Sequence, residues 1–370
     1  MSNKQFGFGI VGAGTIAHIH ARAIAAIPNA RITGIYSTGI EKAEAFAKEH
    51  SCMAFRSLEE MLKAPGIDIV CICTPSGIHM EPVLKCIAAG KHCLIEKPLE
   101  VTLERCDRII EEAEKAGVKI GVVFPSRFYN ESLRIREAID ENKFGALALG
   151  SAYVKWSRTE AYYQSAAWRG TWQYDGGGAL MNQGIHSVDL LQWYMGPVVS
   201  VQAFSANIRH KKIEVEDTIV AALHFRNGAV GTLECSTAVY PGSLKRIEIM
   251  GTDGTAILEE SNLIKWQFRA EGQQEDTSIP AAGKAVQGGV ADPADISYMG
   301  HQKQIENLLL AIENGNTPLI DGREGRKAVE IVLAVYESAR TGRLVYVGDN
   351  AGSSAGVSED QLSKKIITKS

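Results

Sequence analysis

The chain has 370 residues, 45% hydrophobic and 22% charged, with a formal net charge of −4. This is ordinary globular composition at a length that suits two domains, and the mild acidity argues against nucleic acid or an anionic membrane as a partner. No apolar run reaches the length of a membrane helix, and the N-terminal "MSNKQFGFGIVGAG" leads straight into a strand pattern without a signal-peptide arrangement, so the expected setting is the cytoplasm.

Residues 1–125 alternate apolar runs with helical patterns. Strands are expected at 6–12, 31–37, 67–75, 92–98 and 118–124, with helices near 15–27, 41–49, 57–63, 78–90 and 102–116. Strands that are apolar nearly throughout and separated by helices predict a parallel sheet covered on both faces, a doubly wound Rossmann domain. The seven cysteines, at 52, 71, 73, 86, 93, 106 and 235, fall mostly inside apolar segments. There is no C-x-x-C pair and no Cys/His cluster with zinc spacing, so reduced, buried thiols and no metal are expected.

From 126 to 346 the strand candidates lengthen and alternate: "GALALGSAYVKW", "VVSVQAFSANI", "DTIVAALHFRNGAVGTLECSTAV", "RIEIMGTDGTAILEE" and "LIKWQFRA". "RNG" and "TDG" are hairpin-turn signals between them. The pattern predicts a second α+β domain built on a large, mostly antiparallel sheet with one face open. Residues 271–296, rich in Gly, Ala, Pro and Gln, read as a long loop; helices return at 300–314 and 324–341, and 350–370 is a polar tail.

"GIVGAGTIAHIHARAI" puts Gly12-x-Gly14-x-x-Ala17 between the first strand and its helix. The first glycine permits the tight turn, the second lets backbone approach a pyrophosphate, and the helix N-terminus favours its charge. Gly12, Gly14, Thr15 and Ile16 are therefore candidate dinucleotide contacts. At the end of the second strand an acid would select NAD and a base NADP. Ser37 and Thr38 stand there instead, which leaves the choice open, with NAD slightly favoured.

Ligands of an open α/β sheet lie beyond the carboxyl ends of its strands. "TPSGIH" (74–79) and "EKP" (96–98) are two such ends, so Thr74, Pro75, His79, Glu96 and Lys97 are candidate cofactor contacts. Further on, "YDGGGALMNQGIHSVDLLQWYMG" (174–196) carries three glycines and then a helix with Asn182, His186 and Asp189 on one face. A polar stripe with a histidine at its centre suits a cleft between domains.

With these segments on the page, the chain resembles the glucose-fructose oxidoreductase, inositol dehydrogenase and rhizopine catabolism (Gfo/Idh/MocA) oxidoreductases, from about residue 5 to 346. The pairing of E-K-P with G-G-G-x-L-x-x-x-G-x-H-x-x-D carries the likeness. The resemblance implies that Lys97 is the active-site lysine, that Glu96 contacts the nicotinamide end, and that His186 is the catalytic histidine. Asn182 stands where many relatives have Asp, and Ser76 where many have Asn. Trp168 and Arg169 match a pair near the nicotinamide. The resemblance also implies a last helix packed back on the first domain, and a homodimer or homotetramer formed through the sheet.

The expected reaction is oxidation of a secondary hydroxyl on a sugar, sugar derivative or cyclitol, with hydride passing to the nicotinamide. His186 is the candidate general base and Lys97 the group that stabilises charge on the same oxygen, or the base itself. The aromatic and basic run 153–178 adds Lys155, Arg158 and Tyr163 as candidate substrate contacts, with Arg127, Lys97, Asn182 and His186. Two rivals stand beside this reading. One is an enzyme that retains its cofactor and oxidises a sugar only transiently, to cleave a glycoside or exchange hydride between sugars. The other is a non-catalytic dinucleotide-binding regulator.

Overall fold

A computed structural model describes residues 4–269 and 297–348; the expected loop at 271–296 and the tail at 350–370 lie outside the described residues. The N-terminal sheet is built from β1 (Phe6–Val11), β2 (Ala30–Tyr36), β3 (Met53–Phe55), β4 (Ile69–Ile72), β5 (His92–Ile95) and β6 (Ile120–Val122). All pairings are parallel, in the order β3-β2-β1-β4-β5-β6. Helices α1 (Thr15–Ala25), α2 (Ile40–His50), α3 (Leu58–Lys63), α4 (Met80–Ala88) and α5 (Leu103–Ala116) connect them. Every residue of β1 and β4 is buried, which is why both read as unbroken apolar runs. Helix α5 starts where the Thr102 hydroxyl accepts the Arg105 N–H, buries Cys106, Ile109, Ile110 and Ala113, and stops at left-handed Gly117. Strand order reverses between β1 and β4, so the crevice between their carboxyl ends is where such a sheet holds a ligand.

The C-terminal unit carries α6 (Asn130–Asp140), β7 (Leu147–Lys155), α7 (Glu160–Gln164), α8 (Ile185–Met195), β8 (Val198–Ala206), β9 (Thr218–Phe225) and β10 (Val230–Ser236). These are followed by β11 (Arg246–Gly251), β12 (Gly254–Glu259), β13 (Asn262–Phe268), α9 (Met299–Asn314), α10 (Gly322–Thr341) and β14 (Val345–Tyr346). Eight strands run in the order β13-β12-β11-β7-β10-β9-β8-β14, antiparallel except for β7 beside β10. Helices α8 and α10 cover one face. The other is open, and a cross-strand row Phe204, Val220, Glu234, Tyr153, Arg246 runs over it. Helix α9 packs on α1, and α10 spans both units, lying on β8 and α8 on one side and on α5 and β6 on the other. Among the described residues no helix is long and apolar enough to cross a membrane.

Candidate active site

The loop after β1 is shaped for a group that approaches its backbone closely. Gly12 has φ +102°, its N–H donates to the Tyr36 carbonyl at 2.8 Å, and an added Cβ would lie 2.6 Å from the Cys73 carbonyl oxygen. A side chain is thus excluded by both conformation and space. At Gly14 the reverse holds: a Cβ would meet nothing within 4 Å, and no side chain caps the start of α1. Free N–H groups therefore face an open cleft lined by Ala13, Gly14, Thr15, His18, Arg22 and Lys42. Across it, the Thr74 hydroxyl is buried without a hydrogen-bond partner. Open space at a helix N-terminus and an orphaned hydroxyl at the strand switch point fit a dinucleotide. Ile16 turns its side chain toward the core. Ser37 and Thr38 directly follow β2 at the same end of the sheet.

Lys97 follows β5 and reaches into the C-terminal unit, where its Nζ donates to the Asn182 backbone carbonyl at 2.8 Å. Burial lowers the Lys97 pKa, with Glu96 and Asp175 opposing and Arg169 assisting. His186 lies in the first turn of α8, edge-on to Phe124 with ring centroids 5.7 Å apart. Its pKa is held well below the usual imidazole range, first by burial and then by Lys97, Lys245 and His301. Its Nδ1 is buried without a partner, so this neutral ring has hydrogen-bonding capacity to spare.

Around this pair lies a polar layer that the sequence did not reveal. The Asn182 amide donates to Asp175 Oδ1 and accepts from the Tyr162 hydroxyl at 3.4 Å. Tyr162 in turn accepts from Gln183 at 3.0 Å and Arg169 at 2.7 Å. Asp175 Oδ2 takes the Gly170 N–H at 2.8 Å, and burial raises its carboxyl pKa. The Asn182 position thus lacks a carboxylate of its own but contacts one from seven residues earlier. An acid directly before a glycine run was the available signal.

The three glycines explain how the segment is aimed. Residues Ala179–Gly184 form a π-helical turn that runs into α8. Its N-terminal N–H groups are taken by Glu216, which accepts from Gly178 and Leu180 at 2.9 Å each, and by the Tyr336 hydroxyl, which accepts from Gly178 and Met181 at 3.1 Å. A Cβ on Gly178 would sit 1.8 Å from the Glu216 carbonyl oxygen, so only glycine admits this approach. Burial pushes the Glu216 carboxyl up to about 7 despite these donors.

Several expected contacts take other positions. Arg127 is 1% exposed, and its guanidinium is consumed by Asp189 (2.8 and 2.6 Å) and Glu324 (3.2 Å), so it is a buried ion-pair partner and not a substrate contact. Asp189 is correspondingly a docking residue, and only Asn182 and His186 of the stripe face Lys97 and Phe124. Lys155 lies on the open face of the sheet, paired with Glu234 at 2.6 Å, while its neighbour Val154 points to the core. Alternation along β7 therefore directs Lys155 away from the site. Tyr163 is buried, bonded to Thr237 at 2.8 Å and stacked on His210; its neighbour Tyr162 is the one in the site.

Arg158 is also buried and stacks on Trp156 and Tyr162, behind the polar layer. Arg169 lies over Tyr162 and Trp168, beside the layer. The His79 ring is fully buried between the carbonyls of Pro98 (2.9 Å) and Thr74 (3.0 Å), so it clamps two strand-end loops together, with Pro75 between, and does not reach a cofactor. Glu96 points inward to His20 at 2.7 Å, with His301 of α9 at 4.0 Å. It fixes the base of the lysine's strand to α1.

A doubly wound sheet with an open glycine loop, and a lysine after β5 bonded to the turn that leads into the helix of His186, fit a nicotinamide-dependent oxidoreductase. Residues 6–124 match the oxidoreductase family with an NAD-binding Rossmann fold, and residues 132–257 match the GFO/IDH/MocA C-terminal domain. The chain belongs to the Gfo/Idh/MocA oxidoreductase family. It is similar to the WlbA dehydrogenase of Bordetella pertussis, solved with NADH and UDP-GlcNAcA: 32% identity, 94% of this chain and 99% of that one covered, TM-score 0.82. It is 25% identical to the myo-inositol 2-dehydrogenase of Thermotoga maritima over 93% of this chain and 99% of that protein. It is 26% identical to the 1,5-anhydro-D-fructose reductase of Ensifer adhaerens over 91% and 97%.

Proposed function

We propose that the protein oxidises a secondary hydroxyl of a sugar derivative, with Lys97 and His186 handling the hydroxyl. The observation that carries this reading is the Lys97 Nζ contact to Asn182 at 2.8 Å, which brings an amine from one unit beside the imidazole of the other at the mouth of the dinucleotide crevice. Nicotinamide bound there supplies the hydride acceptor.

The electrostatics support one division of roles. A second cation on His186 is opposed by burial and by Lys97, so the neutral ring serves to orient the hydroxyl through a hydrogen bond. Lys97 is the proton acceptor in this reading, since burial lowers its pKa and so favours the neutral amine. As the carbon gives up its hydride, the hydroxyl proton passes to Nζ, and the carbonyl oxygen remains held by His186. Asn182, tied to Asp175 and Tyr162, presents its amide beside them for a neighbouring hydroxyl.

The substrate reading is a nucleotide-linked sugar acid, the ligand class named for the WlbA neighbour. Arg169, Trp168 and Tyr162 give the cleft cationic and aromatic surfaces suited to it. NAD is the proposed cofactor. A specific observation favours NADP as a second reading: Arg22 and Lys42 line the cleft near the end of β2, where a 2′-phosphate would find cations. The open sheet face, with Phe204 70% and Val230 52% exposed, is proposed as the homo-oligomer interface. The test is a screen of free sugars, cyclitols, sugar acids and UDP-GlcNAcA with NAD and NADP, following nicotinamide absorbance. Turnover of none, with either cofactor, removes the proposal.

A further inference from the structure

Next to the dinucleotide cleft, but turned away from the lysine and histidine, α1 and the end of α2 bring three metal-ligating side chains together. His18 Nδ1 lies 2.9 Å from His50 Nε2, and Glu49 Oε1 lies 3.4 Å from each of them. Phe46 backs both rings at centroid distances of 4.9 and 4.3 Å and fixes their planes. We propose that His18, Glu49 and His50 form a zinc-class metal site that pins α1 to α2 at the edge of the cofactor cleft.

The spacing argues for it. Zinc bound to imidazole nitrogen and carboxylate oxygen at about 2.0–2.1 Å in a tetrahedron puts neighbouring ligand atoms about 3.4 Å apart. Two of the three separations equal that edge, and the third, at 2.9 Å, opens to it with a small rotation of a ring. Hydrogen bonding alone leaves the cluster incomplete. One N–H can join the two rings, and the carboxylate, an acceptor only, faces the same two nitrogens. A divalent cation serves all three lone pairs at once. The set is two nitrogens and one oxygen, and Glu49 is 61% exposed, which leaves the fourth position to water.

The local field favours a cation here. The carboxyl end of α2 contributes its partial negative charge at the same place. Arg22 is the opposing cation. His18 also lines the cleft beside Gly14 and Thr15, so a metal here braces the adenosine end of the crevice.

The experiment is a visible-absorption titration of the full chain with Co²⁺, back-titrated with Zn²⁺, alongside thermal midpoints with and without Zn²⁺. Expected is one saturable site with the intense bands of tetrahedral Co²⁺, displaced by Zn²⁺, and a Zn²⁺-dependent rise in midpoint. His50→Ala should abolish the bands and the rise, and Glu49→Gln, at an exposed position that tolerates the change, should weaken Co²⁺ at least tenfold. Absence of stoichiometric binding in the unmodified chain overturns the proposal. So does binding of equal affinity in both variants, which would place the ion elsewhere, as at the buried His20–Glu96–His301 group.

Discussion

The Nζ of Lys97 and the backbone carbonyl of Asn182, 85 residues apart in the chain, are 2.8 Å from each other. This one bond ties the end of β5 to the π-helical turn that leads into α8, so the amine proposed to take the proton also joins the two units. Lys97→Ala should cut turnover by about 10²–10⁴-fold, the range for loss of a general acid–base group, while dinucleotide still binds. Lys97→Arg discriminates the roles: it keeps the charge but cannot release a proton. Equal loss in both variants, by steady-state rates and cofactor titration, supports the acceptor role; recovery in Lys97→Arg would reduce Lys97 to a charge-stabilising group.

Asp175 works against the burial of Lys97 by favouring its charged form. Asp175→Asn removes that support and keeps an oxygen for the Gly170 N–H. The lysine pKa should then fall, and the rising limb of kcat/KM with pH should move to lower pH. An unchanged limb would mean that the profile reports a different group. His186→Ala should lower the rate about 10²-fold or more without moving that limb, since its ring stays neutral across the range.

Much of this arrangement could be read along the chain, because it rests on local patterns. The apolar runs of β1 and β4, the Gly12–Gly14 turn, the hairpin signals and the four-then-three spacing of Asn182, His186 and Asp189 all follow from short-range rules. What escaped was short, polar or set by distant partners. Strand β3 has three residues and α7 five, too few for a period, and α6 is dense in charge. The choice between Tyr162 and Tyr163 depends on how that short helix rotates. Nothing local to Arg127 announces that Asp189, 62 residues later, will bury against it. The direction of Lys155 follows from which face of a sheet α8 and α10 cover, a property of topology.

That Arg127–Asp189 pair gives a stability prediction of its own. Removing one partner of a buried ion pair leaves an uncompensated charge, at a cost of about 3–5 kcal/mol. Arg127→Met should therefore lower the chemical-denaturation free energy by about that much. The folded remainder should keep its substrate KM, because the guanidinium is occupied by Asp189 and Glu324. A selective rise in KM with unaltered stability would restore Arg127 to the substrate pocket.

His301 sets an acid limit on stability. Burial and the neighbouring His20 pull its pKa from 6.5 down to about 4, with Glu96 opposing. The folded state thus binds this proton more weakly than the unfolded one. The contribution is complete above about 6.5 and is lost as pH falls from there toward 4, amounting to about 3 kcal/mol at most. Burial also works to lower His20, but Cys71 and Glu96 outweigh it and raise its pKa to about 10, so its contribution changes above 6.5, outside this window. His301→Gln should flatten the dependence of unfolding free energy on pH between 4 and 6.5. An identical slope in the variant would assign acid sensitivity to other groups.

The glycine loop separates ligand crowding from misfolding. At Gly12 a valine meets both a positive φ and the Cys73 carbonyl, so Gly12→Val should lose NAD(H) binding along with some stability. At Gly14 the backbone is extended, with φ −86° and ψ 179°, and a Cβ meets no protein atom within 4 Å. Gly14→Val should therefore leave the thermal midpoint nearly unchanged, while its side chain occupies the space where a pyrophosphate approaches the start of α1. A drop of about a hundredfold in NADH affinity, some 2.7 kcal/mol, is expected by fluorescence titration. Normal affinity in a well-folded Gly14→Val protein would show that the phosphates do not lie on this loop, and the crevice assignment would fall with it.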